Sequence, residues 1–179
     1  MVGSEAGGRP RDGVDMREGC VSVGLSTSST RVVAVGVDTA DVAEVRRSLA
    51  VYAERYRAFL LSPRERAEQT ALTGQDLVRD TARRWASKEA VTKVLGPAQD
   101  DPWPWRHVEV VGGAGRPSVV LHGRPRELAA RLGIDELVLD ELDEVTPAGL
   151  TADTVTVTAV GLRSGRTTPR TTEAQEGTP

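Results

Sequence analysis

The stretch RRWASKEAVTK, Arg83 to Lys93, organises this 179-residue chain. It contains both lysines of the sequence, Lys88 and Lys93, whereas the other 21 basic side chains are arginines. A lysine carries a compact charge with a pKa that its surroundings shift readily, while an arginine carries a rigid planar fork. Two lysines five residues apart therefore indicate a site that requires ammonium groups where an arginine fork would not fit.

The same stretch is predicted to be helical. Neither glycine nor proline interrupts Thr81 to Leu95, and Gly96-Pro97 ends the pattern. At about 100° per residue, Glu89 and Lys93 share one helix face with small and aromatic side chains, namely Ala82, Ala86 and, at its edge, Trp85. An ion pair on a solvated helix is one interpretation of this pair. The other is that the pair meets an ion, a ligand or another chain.

Composition narrows the class of protein. The chain is long enough for one domain, and its core must be built from Val, Leu and Ala because only 3% of the residues are aromatic. A net charge of −3 argues against general nucleic-acid affinity. The single cysteine, Cys20, excludes an internal disulfide and a cysteine metal site. No apolar run predicts a membrane helix or a secretory signal, so the cytoplasm is the expected location.

Periodicity divides the chain into three parts. Residues 1–30 are predicted to be a flexible extension, residues 31–162 the folded domain, and residues 163–179 a disordered tail. The run Val32 to Val37 predicts a buried strand that ends in Asp38, and a helical period starts at Thr39. Asp38 is thus expected at a strand end before a helix, where ligand-binding groups are common. A helix cap is the alternative role for this residue.

The remaining elements predict an α+β fold with a small, mainly antiparallel sheet packed with helices. Ser62, Pro63 and Glu65 form a capping-box pattern for a helix that runs to about Leu72. The later elements are strands at His107 to Val111, Pro117 to Leu121, Leu137 to Leu142 and Thr154 to Val160, and a helix at Arg126 to Leu132. Between helix and hairpin, Trp103 and Trp105 either stack on a ligand or wedge over the core. The two histidines, His107 and His122, are interpreted as structural or solvent-facing.

Four segments together resemble one known family. They are VGVD at 35–38, LLSPRE at 60–65, RRWASKEAVTKVLG at 83–96 and VEVVGGAGRPSVVLHG at 108–123. In order and spacing they resemble the holo-acyl-carrier-protein synthase group of 4′-phosphopantetheinyl transferases. The resemblance extends from about Arg31 to Leu162.

The resemblance implies a fold and a reaction. The expected reaction is Mg²⁺-dependent transfer of the phosphopantetheine arm of coenzyme A to a serine of an acyl or peptidyl carrier protein, with release of 3′,5′-ADP. Asp38 and Glu89 would hold the metal, and Glu89 and Lys93 would be catalytic. Lys88, Lys93 and Gly96 would contact coenzyme A. A homotrimer is expected as well.

The sequence departs from the family pattern at several places. Glu44 stands where the family has an arginine that grips the acidic carrier protein, and Phe59 replaces a second arginine. Gly96-Pro97-Ala98 is stiffer than the usual glycine-rich loop. Carboxylates replace a histidine motif at Val138 to Glu144, and this acidic run, Asp140 to Glu144, is either a solvated edge strand or a source of acid/base groups. Alternative functions are therefore a repurposed enzyme acting on a pathway intermediate, or a non-catalytic pathway partner.

Overall fold

A computed structural model describes residues 29–98, 102–113, 117–142 and 153–165. Five antiparallel strands form one sheet in the order β1-β5-β4-β3-β2. The strands are β1 (Thr30–Asp41), β2 (Val108–Val111), β3 (Ser118–Leu121), β4 (Glu136–Leu142) and β5 (Thr154–Ser164), and the helices are α1 (Val42–Leu60), α2 (Pro63–Glu68), α3 (Gly74–Leu95) and α4 (Gly123–Leu132). The predicted α+β class is confirmed. The predicted flexible ends fall almost wholly outside the described residues, while Thr30, Arg163 and Ser164 belong to strands.

Strand β1 is longer than its sequence pattern predicts. It stays paired with β5 up to the pair Asp41↔Thr154, because the antiparallel ladder continues beyond the β-branched run. Asp38 therefore lies inside the strand, and the prediction that it ends the strand is wrong. The helix cap is Asp41, whose carboxylate accepts a 3.0 Å hydrogen bond from the backbone N–H of Glu44. Asp38 is thus left free for another role.

Helix α2 confirms the capping box but is shorter than predicted. Ser62 Oγ accepts from the Glu65 N–H at 3.2 Å, and Glu65 Oε2 accepts from the Ser62 N–H at 2.7 Å. The helix ends at Glu68 instead of Leu72. Two side chains take the chain out of the helical path: the Thr70 hydroxyl donates to the Ala67 carbonyl, and Gln69 turns into the core.

Helix α3 packs on the inner face of the sheet, against β1 and β5. Its buried face is built from small side chains, since Ala82, Ala86 and Ala90 are fully buried. The helix ends at Gly96, which adopts the left-handed conformation (φ 54°), as the sequence predicted. Small residues on this face let the helix axis come close to the sheet.

The opposite face of the sheet is not covered by any element among the described ranges. Its apolar side chains are 41–56% exposed and belong to β1 and β4: Val32, Val35, Val37, Val138 and Leu142. The pairs Val35↔Val160 and Val138↔Val160 place three valines side by side across this outer face. Separately, none of the described helices is long and apolar enough to cross a bilayer.

Candidate active site

Asp38 of β1 and Lys93 of α3 meet at the rim of the sheet. Lys93 Nζ donates to Asp38 Oδ1 at 2.8 Å and to the Val37 carbonyl at 2.7 Å. The Lys93 side chain is 51% exposed, whereas that of Asp38 is 17% exposed. The mostly buried carboxylate of Asp38 and the half-exposed ammonium of Lys93 together form a small polar site that opens to solvent on the Lys93 side.

Glu89 lies one helical turn before Lys93 and completes this site. Its side chain is half-buried, and burial is the first reason that the pKa of Glu89 lies above the ordinary value; the negative charge of Asp38 raises it further, and Lys93 opposes both. The two carboxylates are therefore close enough to feel each other's charge. We call Asp38, Glu89 and Lys93 the rim cluster.

The donor set of the rim cluster suits a hard cation. Mg²⁺ prefers carboxylate oxygens, uses one or two of them, and keeps water or substrate oxygens as its other ligands. Across the described residues there is no group of three or more His, Cys, Asp or Glu side chains able to enclose a metal. Two carboxylates open to solvent match the incomplete protein shell that Mg²⁺ tolerates.

Lys88 lies in a different environment. It is fully buried, and its ammonium donates to Glu65 Oε2 at 2.9 Å, to the Trp105 carbonyl at 3.0 Å and to the Val108 carbonyl. All three N–H donors are thus used by the protein. The predicted contact of Lys88 with coenzyme A stays a prediction, and the geometry argues against it because the residue ties α3 to α2 and β2.

Lys88 belongs to a buried charge cluster, which we define as Glu65, Asp80, Arg84 and Lys88. Glu65 Oε1 also accepts from the Val110 N–H at 2.9 Å, and Arg84 Nε donates to Asp80 Oδ2 at 2.8 Å. Burial lowers the pKa of Lys88 and Glu65 opposes that effect; for Asp80, burial is outweighed by hydrogen bonds from Gln69 and Arg84, so its pKa is lowered. Each charge is compensated locally.

Sequence reasoning missed most of the buried charge cluster. Glu65 was interpreted as a helix cap only, and it does serve as one, but the same carboxylate also binds Lys88. The available signal was the excess of charged residues in α3 over what one solvated face needs. Arg84 and Lys88 are spaced i, i+4, which places both on one face of α3.

Gly96 and the tryptophans lie beyond the two clusters. The Gly96 N–H donates to the Thr92 carbonyl at 2.9 Å as part of the helix cap, and its proposed contact with coenzyme A stays a prediction. The ring centroids of Trp85 and Trp105 are 4.9 Å apart, and those of Trp103 and Trp105 are 6.5 Å apart. Trp85 and Trp103 pack on the hydrophobic core, which supports the wedge interpretation.

The acidic run is split between the two faces of the sheet. Asp140 pairs with Thr158 on the outer face and is exposed, whereas Glu141 pairs with Val157 on the inner face, as Asp38 does. With β5 between them, the strands that carry Glu141 and Asp38 are about 10 Å apart. Strand β4 lies between β5 and β3 in the sheet, but β3 pairs with it at Val138, so the end of β4 that carries Asp140 and Glu141 is paired with β5 alone among the described residues. Asp143 and Glu144 lie outside the described residues.

A family model places this site among known proteins. The model of the 4′-phosphopantetheinyl transferase superfamily matches residues 34–148, which contain the rim cluster and the buried charge cluster. The chain belongs to this superfamily. It is a 4′-phosphopantetheinyl transferase of the holo-acyl-carrier-protein synthase type.

Similar sequences bear the same description. A holo-[acyl-carrier-protein] synthase of Acidovorax sp. is 35% identical over 104 residues, covering 56% of this chain and 80% of that protein. One from Anaeromyxobacter dehalogenans is 40% identical over 106 residues, covering 58% and 80%. One from Halorhodospira halophila is 34% identical over 116 residues, covering 63% and 89%. The transferase domain is therefore matched over most of the length of these relatives.

Solved structures confirm the fold. The holo-ACP-synthase of Plasmodium yoelii superposes with a TM-score of 0.61 at 22% identity, covering 76% of this chain and 99% of that one. The ACPS–CoA complex of Chronobacterium ammoniagenes gives a TM-score of 0.56 at 24% identity, covering 77% and 99%. At these identities the likeness establishes the shared transferase fold.

Proposed function

We propose that this transferase moves the 4′-phosphopantetheine arm of coenzyme A to a serine of an acyl or peptidyl carrier protein, releasing 3′,5′-ADP, with Mg²⁺ held by Asp38 and Glu89. The observation that carries the proposal is the rim cluster: Asp38 bound to a half-exposed lysine, beside Glu89, whose pKa is raised by burial and by the charge of Asp38. A pair of this kind gains most from a divalent cation.

The reaction exchanges one phosphorus–oxygen bond for another. The serine hydroxyl oxygen forms a bond to the phosphorus of the pantetheine arm, and the bond from that phosphorus to the bridging oxygen of 3′,5′-ADP breaks. The bound metal ion would neutralise the pyrophosphate. Glu89 orients the serine hydroxyl and accepts its proton, directly or through a water. Lys93, whose side chain is half-exposed, balances the charge that develops on the phosphates.

A second contact to coenzyme A is proposed at Arg83. This side chain is 95% buried, since its exposure is 5%, and its Nη1 finds no acceptor among the described residues. It lines a cavity of about 560 Å³ together with Arg79, Gly112, Gly113 and Glu141. Arg83 thus belongs to the wall of this cavity and has one donor without an acceptor, and such a guanidinium donor favours a phosphate oxygen. Arg83 precedes Glu89 by six residues, about 9 Å along the helix, a span that an extended dinucleotide-like ligand can bridge.

The proposed assembly is a homotrimer held through the outer face of the sheet. Two exposed valines, Val35 of β1 and Val138 of β4, flank the partly exposed Val160 of β5 and form with it a contiguous apolar surface of the kind that mediates association. Val35→Glu should then give monomers in size-exclusion chromatography with light scattering. Val51→Glu is the matched control, because Val51 is exposed on α1, away from this face. A trimer that survives Val35→Glu would rule this surface out.

The proposed reaction is tested by mass spectrometry of carrier proteins. The chain is incubated with coenzyme A, Mg²⁺ and several apo carrier proteins, and a carrier should gain the mass of phosphopantetheine. Asp38→Ala and Glu89→Ala should lower the rate at least about 100-fold. Glu127→Ala is the matched control, because Glu127 is an exposed acid on α4, outside the rim cluster and the outer face of the sheet. Asp140→Ala is made alongside it to test the acidic run.

Three outcomes would contradict this assignment. If no carrier gains mass and coenzyme A does not bind, the transferase function is wrong. If transfer survives the loss of either carboxylate, the metal assignment is wrong. If Asp140→Ala alone abolishes transfer, the acidic run takes part and a repurposed site becomes the better description.

A further inference from the structure

Strand β1 and helix α3 approach each other very closely at Gly36. A Cβ atom built on Gly36 would lie 2.1 Å from the carbonyl oxygen of Ala90 and 3.0 Å from Cβ of Lys93. The backbone of Gly36 does not have a positive φ, unlike Gly96 or Gly133, so a side chain is excluded by space and not by conformation. The obstacle is a helix backbone, which a rotamer change does not relieve.

This contact lies between the residues of the rim cluster. Gly36 precedes Asp38 by two residues, so both face α3 from the same side of β1. Ala90 follows Glu89 and lies one turn from Lys93 on α3. This close contact is thus beside the side chains that the proposed metal site requires to be close together.

We propose that Gly36 is a positioning residue: the absence of its side chain sets the separation of β1 and α3, and through it the placement of the Asp38 carboxylate relative to Glu89 and Lys93. This inference rests on the proposed function. Ordinary contacts of a Cβ atom begin at 3.4 Å, so any side chain at Gly36 would push the Ala90 carbonyl away by about 1 Å or more. A displacement of 1 Å at a reacting site can cost about 100-fold in rate.

The chain offers a matched control in Gly161 of β5. A Cβ atom there would lie 2.9 Å from Ile134 Cδ1 and 3.0 Å from Val94 Cγ1, and Val94 belongs to the same helix. These contacts are ends of side chains that can shift, so Gly161→Ala disturbs the packing of α3 without forcing its backbone away. The two variants separate general loss of packing from movement of the rim cluster.

The experiment compares Gly36→Ala, Gly161→Ala and the unchanged chain. Mn²⁺ binding is measured by electron paramagnetic resonance without coenzyme A, and kcat and KM for coenzyme A and the melting temperature are measured alongside. Gly36→Ala should weaken Mn²⁺ binding about 10-fold and lower kcat about 100-fold, with KM changed less than about 3-fold. Gly161→Ala should lose melting temperature but keep both Mn²⁺ affinity and kcat within about 3-fold.

The outcomes distinguish this inference from the function on which it rests. If Gly36→Ala matches Gly161→Ala in Mn²⁺ affinity and kcat, the positioning role is wrong while the function stands. If the unchanged chain neither binds Mn²⁺ nor transfers, the proposed function fails. The Asp38–Lys93 distance in a crystal structure of Gly36→Ala then decides the positioning role, and an unchanged 2.8 Å contact overturns it. If Gly36→Ala does not fold, Ala90→Val adds bulk to the buried face of α3 at the same interface, and unaltered Mn²⁺ affinity in a variant whose crystal structure shows α3 displaced from β1 overturns the proposal.

Discussion

Lys88 and Lys93 lie five residues apart on one helix and have opposite surroundings. Lys88 is fully buried and gives all three ammonium protons to protein acceptors. Lys93 is half-exposed, reaches Asp38 and the Val37 carbonyl, and lies at an open site. The difference shows that one residue type in one helix is locked into the core on one face and is open to solvent and ligands on the next. Burial and the number of acceptors decide which role applies.

The comparison also explains the use of lysine in an arginine-rich chain. Lys88 meets one carboxylate and two carbonyls around a single nitrogen, which an ammonium matches and a planar fork does not. Arg84, one turn away, instead binds Asp80, Glu68 and the Val110 carbonyl through three different nitrogens. Geometry of the acceptors therefore distinguishes the two cations of the buried charge cluster.

The largest expected effect is on folding. Lys88→Ala removes the nearer of two cations from the fully buried carboxylate of Glu65 and leaves only Arg84 Nη1, 3.9 Å away; breaking a buried pair in this way costs about 3–5 kcal/mol. Lys93→Ala should cost less than about 1 kcal/mol, because the Lys93–Asp38 pair is partly exposed. Both are measured by urea denaturation of the metal-free chain. Equal losses for the two variants would show that the contrast between the lysines does not exist.

A smaller effect is expected on the reaction. Lys93→Ala should lower phosphopantetheine transfer about 100-fold, since it removes the cation that balances charge on the phosphates. Arg64→Ala serves as the control: Arg64 is 60% exposed and pairs loosely with Glu68 at 3.8 Å, so it removes one positive charge away from the rim cluster. Rates are followed by the mass of the carrier protein. A Lys93→Ala enzyme that transfers as fast as Arg64→Ala would remove Lys93 from the mechanism.

The smallest effect concerns the stability of the rim cluster itself. Burial and Asp38 raise the pKa of Glu89, so the folded chain holds this proton more tightly than the unfolded chain. At a pH above the raised pKa of Glu89, the ionised carboxylate lowers the stability of the folded chain. This stability returns as the pH falls through the raised pKa toward the ordinary value of 4.5. Glu89→Gln should therefore raise the melting temperature of the metal-free chain at neutral pH.

The pH dependence supplies the control for this prediction. The difference in melting temperature between Glu89→Gln and the unchanged chain should shrink as the pH falls, because Glu89 becomes protonated and neutral. Scanning calorimetry between neutral and mildly acidic pH measures both curves. A variant that is less stable than the unchanged chain at neutral pH would show that the ionised Glu89 carboxylate does not destabilise the metal-free fold.

Much of the fold could be predicted from local signals. The capping box at Ser62 and Glu65, the helix end at Gly96 and the antiparallel hairpin were each encoded by a few neighbouring residues and are confirmed. The errors occurred where pairing overrode local pattern. Strand β1 continues to Asp41 because β5, more than a hundred residues away, supplies its hydrogen-bond partners. No local period contains that information.

The amino-acid sequence determined the element types, the family and the chemistry of the residues available for a site: two carboxylates and a lysine in recognisable surroundings. The tertiary structure decided where each of them lies and what each contacts. Folding buries Lys88 against Glu65, and strand alternation places Asp140 on the outer face of the sheet. Asp38 lies beside Lys93 because Gly36, which has no side chain, lets α3 pack close to β1. The physical reason is that burial and the distance between charges arise from contacts between segments remote in the chain, and these fix how each ionisable group behaves.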